Sequence, residues 1–194
     1  CIRDRFKRLG YEYIKIDFLT HGCAEADYYY DPEVQTGMQA YNKGMAYLLE
    51  QMEGMYITMA ISPLFPSQYA HSRRIACDAW AGIGDTEYTL NSLTYGWWLN
   101  QVYTYNDPDH LLLEPVSDGE NRARITSGVI TGIFMNGDDL SYISGIQVAK
   151  DKARKFLTNE DINAIAKMGK SFRPVNGNMD GACLLYTSPS PRDP

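Results

Sequence analysis

The sequence lacks the patterns of several common functional classes. Its 194 residues contain three histidines and four cysteines, with no C-x-x-C pair and no histidine at ligand spacing. We therefore expect no metal site and no disulfide framework. No apolar run approaches the length of a membrane span, so a membrane partner is not expected. The formal net charge of −6 argues against nucleic acid as a partner, because phosphate binding needs a basic surface.

A glycine-rich phosphate-binding turn is also missing. The nearest candidate, Gly82-Ile83-Gly84, has no third glycine, and we interpret it as a loop. A doubly wound nucleotide-binding sheet is therefore disfavoured. Hydrophobic residues make up 44% of the chain and charged residues 22%, which is typical of a globular domain with a sizeable core.

What is present is a strand pattern with polar residues on one face. Residues 11–18, Tyr-Glu-Tyr-Ile-Lys-Ile-Asp-Phe, are rich in β-branched and aromatic side chains. Alternation puts Lys15 and Asp17 on one face, opposite an apolar face that ends at Phe18. Burying Lys and Asp is costly unless they pair or serve a function. The stretch is therefore either an edge strand with a surface ion pair, or a barrel strand whose polar residues point into a site.

Further strands and helices alternate along the chain. Strands are predicted at 56–62, 73–78, 102–106 and 133–136, and helices at 1–9, 36–52, 86–99, 119–131, 147–156 and 159–168. Asp118 is the candidate cap of the fourth helix. The third helix is expected to be apolar and aromatic on one side, through Leu90, Leu93, Trp97 and Trp98. Alternating βα units predict a parallel sheet with helices outside.

Acidic or polar residues collect where these strands end. In chain order they are Asp17, Ser62, Asp78, Asp107 with Asp109, and Asp138 with Asp139. This pattern is typical of the active face of a (β/α)8 barrel. We therefore predict an α/β fold, a partial TIM barrel with about the last five strands and their helices. Asp107, Asp138 and Asp139 are expected to have only structural roles, as caps or as ligands of bound water.

A ring of carboxylates without metal-type histidines suits acid–base or nucleophilic chemistry. Glycoside hydrolysis needs two carboxyls about 5–5.5 Å apart for retention, and further apart for inversion. Asp17 and Asp78 end strands that are two apart in the predicted order, so they can face each other. Lys15 and Arg74 precede them; a cation suits a nucleophile and opposes a general acid. The residues alone leave open which aspartate has which role.

Motifs in this order resemble the family 27 and family 36 glycoside hydrolases, the α-galactosidase (melibiase) clan. They are Tyr-Ile-Lys-Ile-Asp-Phe at 13–18, Arg-x-x-x-Asp at 74–78, Asn-Asp-Pro-Asp at 106–109 and Ile-Phe-Met-Asn at 133–136. The second is similar to the acid/base strand of family 27. The resemblance covers roughly residues 9–174.

The resemblance implies a retaining exo-glycosidase that removes terminal α-D-galactosyl residues by double displacement, without a cofactor. Asp17 would be the nucleophile, and Asp78 the acid that protonates the leaving oxygen and then activates water. Lys15 and Arg74 would bind sugar hydroxyls, and Asp109 would line the pocket.

Ser62 departs from the family pattern. It stands where the family has a sugar-reading residue, often Glu in galactosidases, so a shorter side chain leaves room beside the sugar. A related α-N-acetylgalactosaminidase or β-L-arabinopyranosidase is therefore an alternative, as is a non-catalytic carbohydrate-binding barrel. A metal-dependent barrel hydrolase is a further rival, which the histidine spacing disfavours.

The resemblance also sets the expected domain limits. Residues 1–174 would be the C-terminal portion of a catalytic barrel, and 175–182 the start of a truncated linker to a missing β-domain. Residues 183–194 are rich in proline and serine and look like a translated sequencing adaptor, so we expect a non-native disordered tail. The fragment alone is expected to fold poorly and to be inactive, because both barrel edges are unpaired. Bacterial members are often periplasmic or secreted; compartment and oligomeric state are left open.

Overall fold

The chain forms an α/β fold around a four-stranded sheet whose order follows the sequence, β1-β2-β3-β4. The computed structural model describes residues 2–132, 135–141, 146–174 and 186–187. Two compact units, residues 1–73 and 74–194, make up the chain. The α/β class is therefore confirmed, whereas closure of the sheet into a barrel stays a prediction.

The first unit contains two helices and the first strands of the sheet. Its elements are α1 (Ile2–Arg8), β1 (Tyr13–Ile16), a 3₁₀ helix (Leu19–Cys23), α2 (Gly37–Gln51), β2 (Tyr56–Met59) and β3 (Ser72–Arg74), whose last residue opens the second unit. β1 pairs in parallel with β2, and β2 with β3. The helix–strand alternation read from the sequence is thus confirmed here.

Helix α2 begins where a capping box closes its first turn. The Thr36 side chain accepts a hydrogen bond from the Gln39 amide, and the Gln39 side chain accepts one from the Thr36 amide. A Cβ atom on Gly37 would lie 2.1 Å from the Cys23 carbonyl oxygen, so only glycine permits this approach to the 3₁₀ helix. The helix predicted over 36–52 is confirmed.

The core of the first unit lies between β2 and α2. Ile57, Met59 and Ala60 are almost fully buried, as are Tyr41 and Met45 of α2. The Tyr41 hydroxyl lies 3.6 Å from the Met59 sulfur. The methionine and aromatic stripe of α2 therefore packs against the strand, which is the usual role of such a stripe.

Three of the predicted strands are shorter or shifted. β1 stops at Ile16, because Phe18 adopts a left-handed backbone conformation and begins the 3₁₀ helix. β2 stops at Met59 rather than at residue 62, and β3 stops at Arg74, since the chain bends at residues 76–77. The apolar–polar alternation of the sequence thus continues past the last ladder hydrogen bonds, so Asp17 and Asp78 both follow strands rather than end them.

The second unit is mainly helical. Its elements are α3 (Ile83–Gly96), a 3₁₀ helix (Trp97–Gln101), β4 (Tyr105–Asp107), α4 (Asp118–Thr131), α5 (Ile146–Leu157), α6 (Glu160–Lys167) and an antiparallel pair, β5 (Arg173–Pro174) with β6 (Tyr186–Thr187). The Ile75 amide, just after β3, donates to the Asp107 carbonyl of β4 at 2.9 Å. Its core joins α4, α5 and the segment after β4 through Leu111, Leu113, Ile125, Val129 and Phe156.

Both ends of the third helix differ from the prediction, since α3 begins at Ile83 and ends at Gly96. Gly82 caps α3 and Gly84 lies in its first turn, so this segment is a helix start rather than a loop; the Gly82 amide donates to the Asp85 carboxylate at 3.2 Å. Trp97 and Trp98 are exposed at 37% and 38%. The chain tightens into the 3₁₀ helix at Trp97, and three residues per turn rotate both indoles off the buried stripe.

Two further boundaries differ for local reasons. Ser117, not Asp118, caps α4, because its side chain accepts from the Glu120 amide in a capping box. The strand predicted at 102–106 forms at Tyr105–Asp107, since the 3₁₀ helix runs to Gln101. The helices predicted at 147–156 and 159–168 are confirmed as α5 and α6, with Asn159 capping α6.

Some predictions fall on residues outside the described part of the chain. Residues 133 and 134 of the fifth predicted strand lie outside it, while Asn136 makes an isolated parallel bridge with Leu111. Residues 175–182 and most of 183–194 also lie outside, apart from the pair formed by β6. The linker and the tail therefore stay predictions.

Candidate active site

Backbone strain follows three of the four strands of the sheet. Phe18, Ile61 and Asp109 have φ values of 56°, 40° and 72°, and each stands two residues after the end of β1, β2 or β4. A non-glycine residue rarely adopts this conformation, and a β-branched residue such as Ile61 is an outlier there. Strain of this kind costs about 1–3 kcal/mol per residue and gathers at functional sites. It therefore points to the segments that leave the carboxyl ends of the strands.

In the first unit, Asp17 lies on one of these strained turns. Its side chain is exposed, and its Oδ1 accepts a hydrogen bond from the Phe18 amide at 2.7 Å. The Phe18 carbonyl oxygen lies 3.1 Å from Nδ1 of His21. The amide and the hydroxyl of Thr20 both donate to the Ile61 carbonyl, at 2.7 and 2.6 Å. These hydrogen bonds brace the turn that presents the Asp17 carboxylate.

The other two predicted site residues of this unit differ in accessibility. Lys15 is half-buried in β1, in register with Thr58 of β2. Ser62 is only 6% exposed, and among the described residues its hydroxyl has no hydrogen-bond partner. Its carbonyl oxygen accepts a hydrogen bond from Arg73 at 2.8 Å. The position of Ser62 is therefore fixed through its backbone, and its side chain is covered.

In the second unit, one buried cation contacts two carboxylates. Nη1 of Arg74 lies 2.7 Å from Oδ1 of Asp78 and 3.6 Å from Oδ2 of Asp109. The side chains of Arg74 and Asp109 are 8% and 2% exposed, whereas that of Asp78 is 52% exposed. The arrangement thus presents one carboxylate, Asp78, on a buried ionic support.

Asp109 is the centre of this support. Its Oδ2 accepts a hydrogen bond from the Ala79 amide at 3.0 Å, and its own amide donates to Oδ1 of Asp107 at 2.7 Å. Nδ1 of His110 lies 3.4 Å from Oδ1 of Asp109. Asp109 is buried, and it helps to position the exposed Asp78 through its contacts with Arg74 and with the Ala79 amide.

The three aspartates expected to be structural all bind backbone amides. Asp107 accepts from Asp109. Asp138 accepts from the amides of Leu113 and Glu114 at 2.9–3.0 Å. Asp139 accepts from the Ser141 amide, and hydrogen bonds from the hydroxyl and the amide of Ser141 lower the pKa of the Asp139 carboxyl. They shape loops after the strands rather than capping helices.

Sequence reasoning missed Trp80 and His110. Trp80 is 60% exposed, and its ring meets that of His110 edge-on, with centroids 5.7 Å apart. The Trp80 carbonyl accepts a hydrogen bond from Nη2 of Arg124 at 3.1 Å. Arg124 is fully buried, which lowers the pKa of its guanidinium. No periodic pattern surrounds residues 78–82, so only the closeness of Trp80 to Asp78 in the sequence could have indicated it.

The free thiol of Cys77 precedes Asp78 and is exposed. Its hydrogen bond with the Tyr88 hydroxyl raises the pKa of the tyrosine.

Among the described residues, no group of three or more His, Cys, Asp or Glu side chains is arranged to hold a metal ion. Within the same residues, every helix is too short or too polar to cross a bilayer.

The geometry defines an α/β fold with a parallel sheet. The segments that follow its strands carry carboxylates and strained backbone. No protein-family model matches the chain, and no curated protein matches its sequence. Two solved structures of an α-galactosidase from Thermus thermophilus are similar in fold. One, in complex with stachyose, has a TM-score of 0.57; the other, in complex with p-nitrophenyl α-D-galactopyranoside, has 0.58.

Both matches have 21% sequence identity and cover 82% of this chain. They cover 37% and 35% of the α-galactosidase chains, so this chain spans about a third of their length. The fold is therefore similar to part of an α-galactosidase. This likeness supports the expected α-galactosidase-like fold and does not favour family 27 over its relatives.

Proposed function

We propose that this chain is part of a retaining glycoside hydrolase that removes terminal α-D-galactosyl residues from oligosaccharides or polysaccharides. The observation that carries the proposal is the pair of exposed aspartates, Asp17 and Asp78, each on a braced segment after a strand of an α-galactosidase-like fold. A galactoside is the substrate, and no cofactor is required for this chemistry.

In the proposed reaction, Asp17 attacks the anomeric carbon and forms a covalent glycosyl ester. Asp78 donates its proton to the leaving oxygen in the same step. Asp78 then takes a proton from the water that cleaves the ester, and two inversions return the starting configuration. This assignment agrees with the family motifs read from the sequence.

Arg74 opposes protonation of Asp78, and the buried Asp109 offsets part of that opposition. Arg74 contacts both Asp78 and the buried Asp109, so its charge is never left without a counter-ion when Asp78 is protonated. An unpaired buried cation would oppose that protonation strongly. Lys15 and Arg74 are proposed to bind the sugar, whereas the buried Ser62 and Asp109 are proposed to position the residues around it.

The domain limits are also proposed from the resemblance. Residues 1–174 would form the C-terminal portion of a (β/α)8 barrel, and residues 175–182 would lead to a following domain. Residues 183–194 would be a non-native tail.

The test uses the complete protein that carries these residues, with an aryl α-D-galactoside as substrate. The wild type should turn over, and Asp17→Ala should lose at least about a thousandfold in kcat. Azide should partly restore the rate of Asp17→Ala, because a small anion can replace the missing nucleophile. Asp27→Ala, which removes another exposed carboxylate from the same loop, is the matched control and should keep its rate.

Other outcomes change the proposal in defined ways. Turnover of an N-acetylgalactosaminide or a β-L-arabinopyranoside instead of the galactoside would keep the reaction and replace the sugar. No turnover on any of the three, with sugar affinity retained in Asp17→Asn, would establish a non-catalytic sugar-binding protein.

A further inference from the structure

Residues 78–80 form a short segment in which exposed and buried side chains alternate. The Asp78 side chain is 52% exposed and Trp80 is 60% exposed, whereas Ala79 between them is 3% exposed. Asp78 and Trp80 are therefore both open to solvent, on either side of a buried residue. Exposed aromatic side chains occur elsewhere in this chain as well, so what distinguishes this segment is how it is held and not exposure alone.

Each of the three residues is held by a different buried group. Asp78 is held by Arg74 at 2.7 Å, and the Ala79 amide by Asp109 at 3.0 Å. The Trp80 carbonyl is held by Arg124 at 3.1 Å. The three supporting side chains are 8% exposed or less. The segment is therefore fixed from below while its two exposed side chains stay open, as a preorganised binding surface requires.

The indole of Trp80 has support on one side. The His110 ring meets it edge-on, and His110 itself lies against Asp109. Two residues of extended chain span about 7 Å at most, so the Trp80 backbone lies within that distance of Asp78. An indole two residues from a carboxylate in the chain can cover the apolar C–H face of a pyranose that contacts this carboxylate.

We propose that Trp80 is the platform for the leaving sugar of the galactoside. The inference rests on the proposed function, in which Asp78 protonates the oxygen between the galactosyl residue and its leaving group. Whatever follows that oxygen must lie beside Asp78, where the Trp80 ring is exposed. Trp80 thus selects substrates whose leaving group is a sugar over those whose leaving group is too small to touch it.

The test compares two substrates of the complete protein. Stachyose has a sugar leaving group, whereas α-D-galactosyl fluoride releases a single atom that no platform can contact. Trp80→Ala should lower kcat/KM for stachyose by about tenfold and leave that for the fluoride within about twofold. Trp80→Phe keeps a ring and should retain most of the activity on stachyose.

Trp97→Ala removes a second indole of the same unit, exposed at 37%, and should change neither substrate. Equal loss on both substrates in Trp80→Ala, or no loss on stachyose, would overturn the platform while the hydrolase stands. If the wild type hydrolyses neither substrate, the proposed function fails, and the platform fails with it. Retained activity of Trp80→Ala on the fluoride excludes misfolding as the cause of its loss on stachyose.

Discussion

The two candidate catalytic aspartates are presented by different means. Asp17 is held by the amide of the next residue, on a turn where Phe18 is forced to a φ of 56°. Asp78 is held by a side chain, the buried Arg74, which in turn lies against the buried Asp109. The segment that presents Asp17 therefore has its energetic cost in backbone strain, and the segment that presents Asp78 has it in buried charge.

This difference determines how each segment responds to mutation. Backbone strain of about 1–3 kcal/mol is local, and a residue that tolerates the conformation relieves it. Removing one partner of a buried ion pair costs about 3–5 kcal/mol, because the other charge is left uncompensated. The surroundings of Asp17 should thus tolerate substitution better than those of Asp78.

The largest expected effect separates the chemical roles of the two aspartates. Asp17→Ala should lose at least about a thousandfold on both stachyose and α-D-galactosyl fluoride, because every substrate needs the nucleophile. Asp78→Ala should lose about a hundredfold to ten-thousandfold in kcat/KM on stachyose and far less in kcat/KM on the fluoride, whose departure needs no proton, although kcat falls on both because water is no longer activated. Steady-state kinetics on both substrates measures this. The same loss for both variants on both substrates would contradict the assignment.

The second prediction tests the buried charges. Asp109→Asn should destabilise the protein by about 3 kcal/mol, since it removes the buried carboxylate that lies against the buried Arg74. Asp78→Asn, which changes the exposed partner of the same cation, should cost less than about 1 kcal/mol. Urea unfolding measures both. Hydrogen exchange of the Ala79 amide should become faster in Asp109→Asn only, because Asp109 accepts that amide. Equal destabilisation by the two variants would mean that the buried Asp109 and the exposed Asp78 contribute alike to stability.

The periodic parts of the sequence predicted the fold well. The stripe that includes Tyr41 and Met45 identified α2, and the apolar run at Ile57 identified β2, because burial of one face imposes a period that single residues reveal. The capping signal Ser-x-x-Glu at 117–120 is also in the sequence, directly beside Asp118, the cap that we predict from the residue type. Motif order gave the α-galactosidase-like fold, which the structural neighbours support at fold level.

The parts that depend on contacts between distant residues could not be predicted. Nothing in the alternation of residues 73–78 shows that the strand stops at Arg74, since the stop is set by ladder partners. The strain at Ile61 has no sequence signal either, because a β-branched residue is the last choice for a positive φ. The burial of Asp109 and the exposure of Trp80 follow from packing alone.

The third prediction tests the backbone strain at Ile61, in the first unit. Ile61→Gly should stabilise the protein by about 1 kcal/mol, because glycine adopts a φ of 40° without the clash of a Cβ atom. The hydrogen bonds from Thr20 go to the Ile61 carbonyl and are unaffected. Gly54→Ala is the matched control of opposite sign. It places a Cβ at a φ of 83° with no atom within 4 Å, so only backbone strain destabilises it. A lower midpoint of thermal unfolding in Ile61→Gly would contradict the strain.

The smallest expected effect concerns α4, the helix that contains Arg124. Hydrogen bonds from the hydroxyl and the amide of Ser117 lower the pKa of Glu120 below its usual 4.5. A carboxyl whose folded pKa is lowered stabilises the protein above the unfolded pKa, and this stabilisation is lost as the pH falls through the folded value. Unfolding midpoints at about pH 6 and about pH 3.5 bracket the transition. Glu120→Gln keeps the capping geometry without the titration, so its stability should fall less on acidification than that of the wild type. If both proteins lose the same stability, the Glu120 carboxylate does not contribute to the pH dependence, and the start of α4 depends on Ser117 alone.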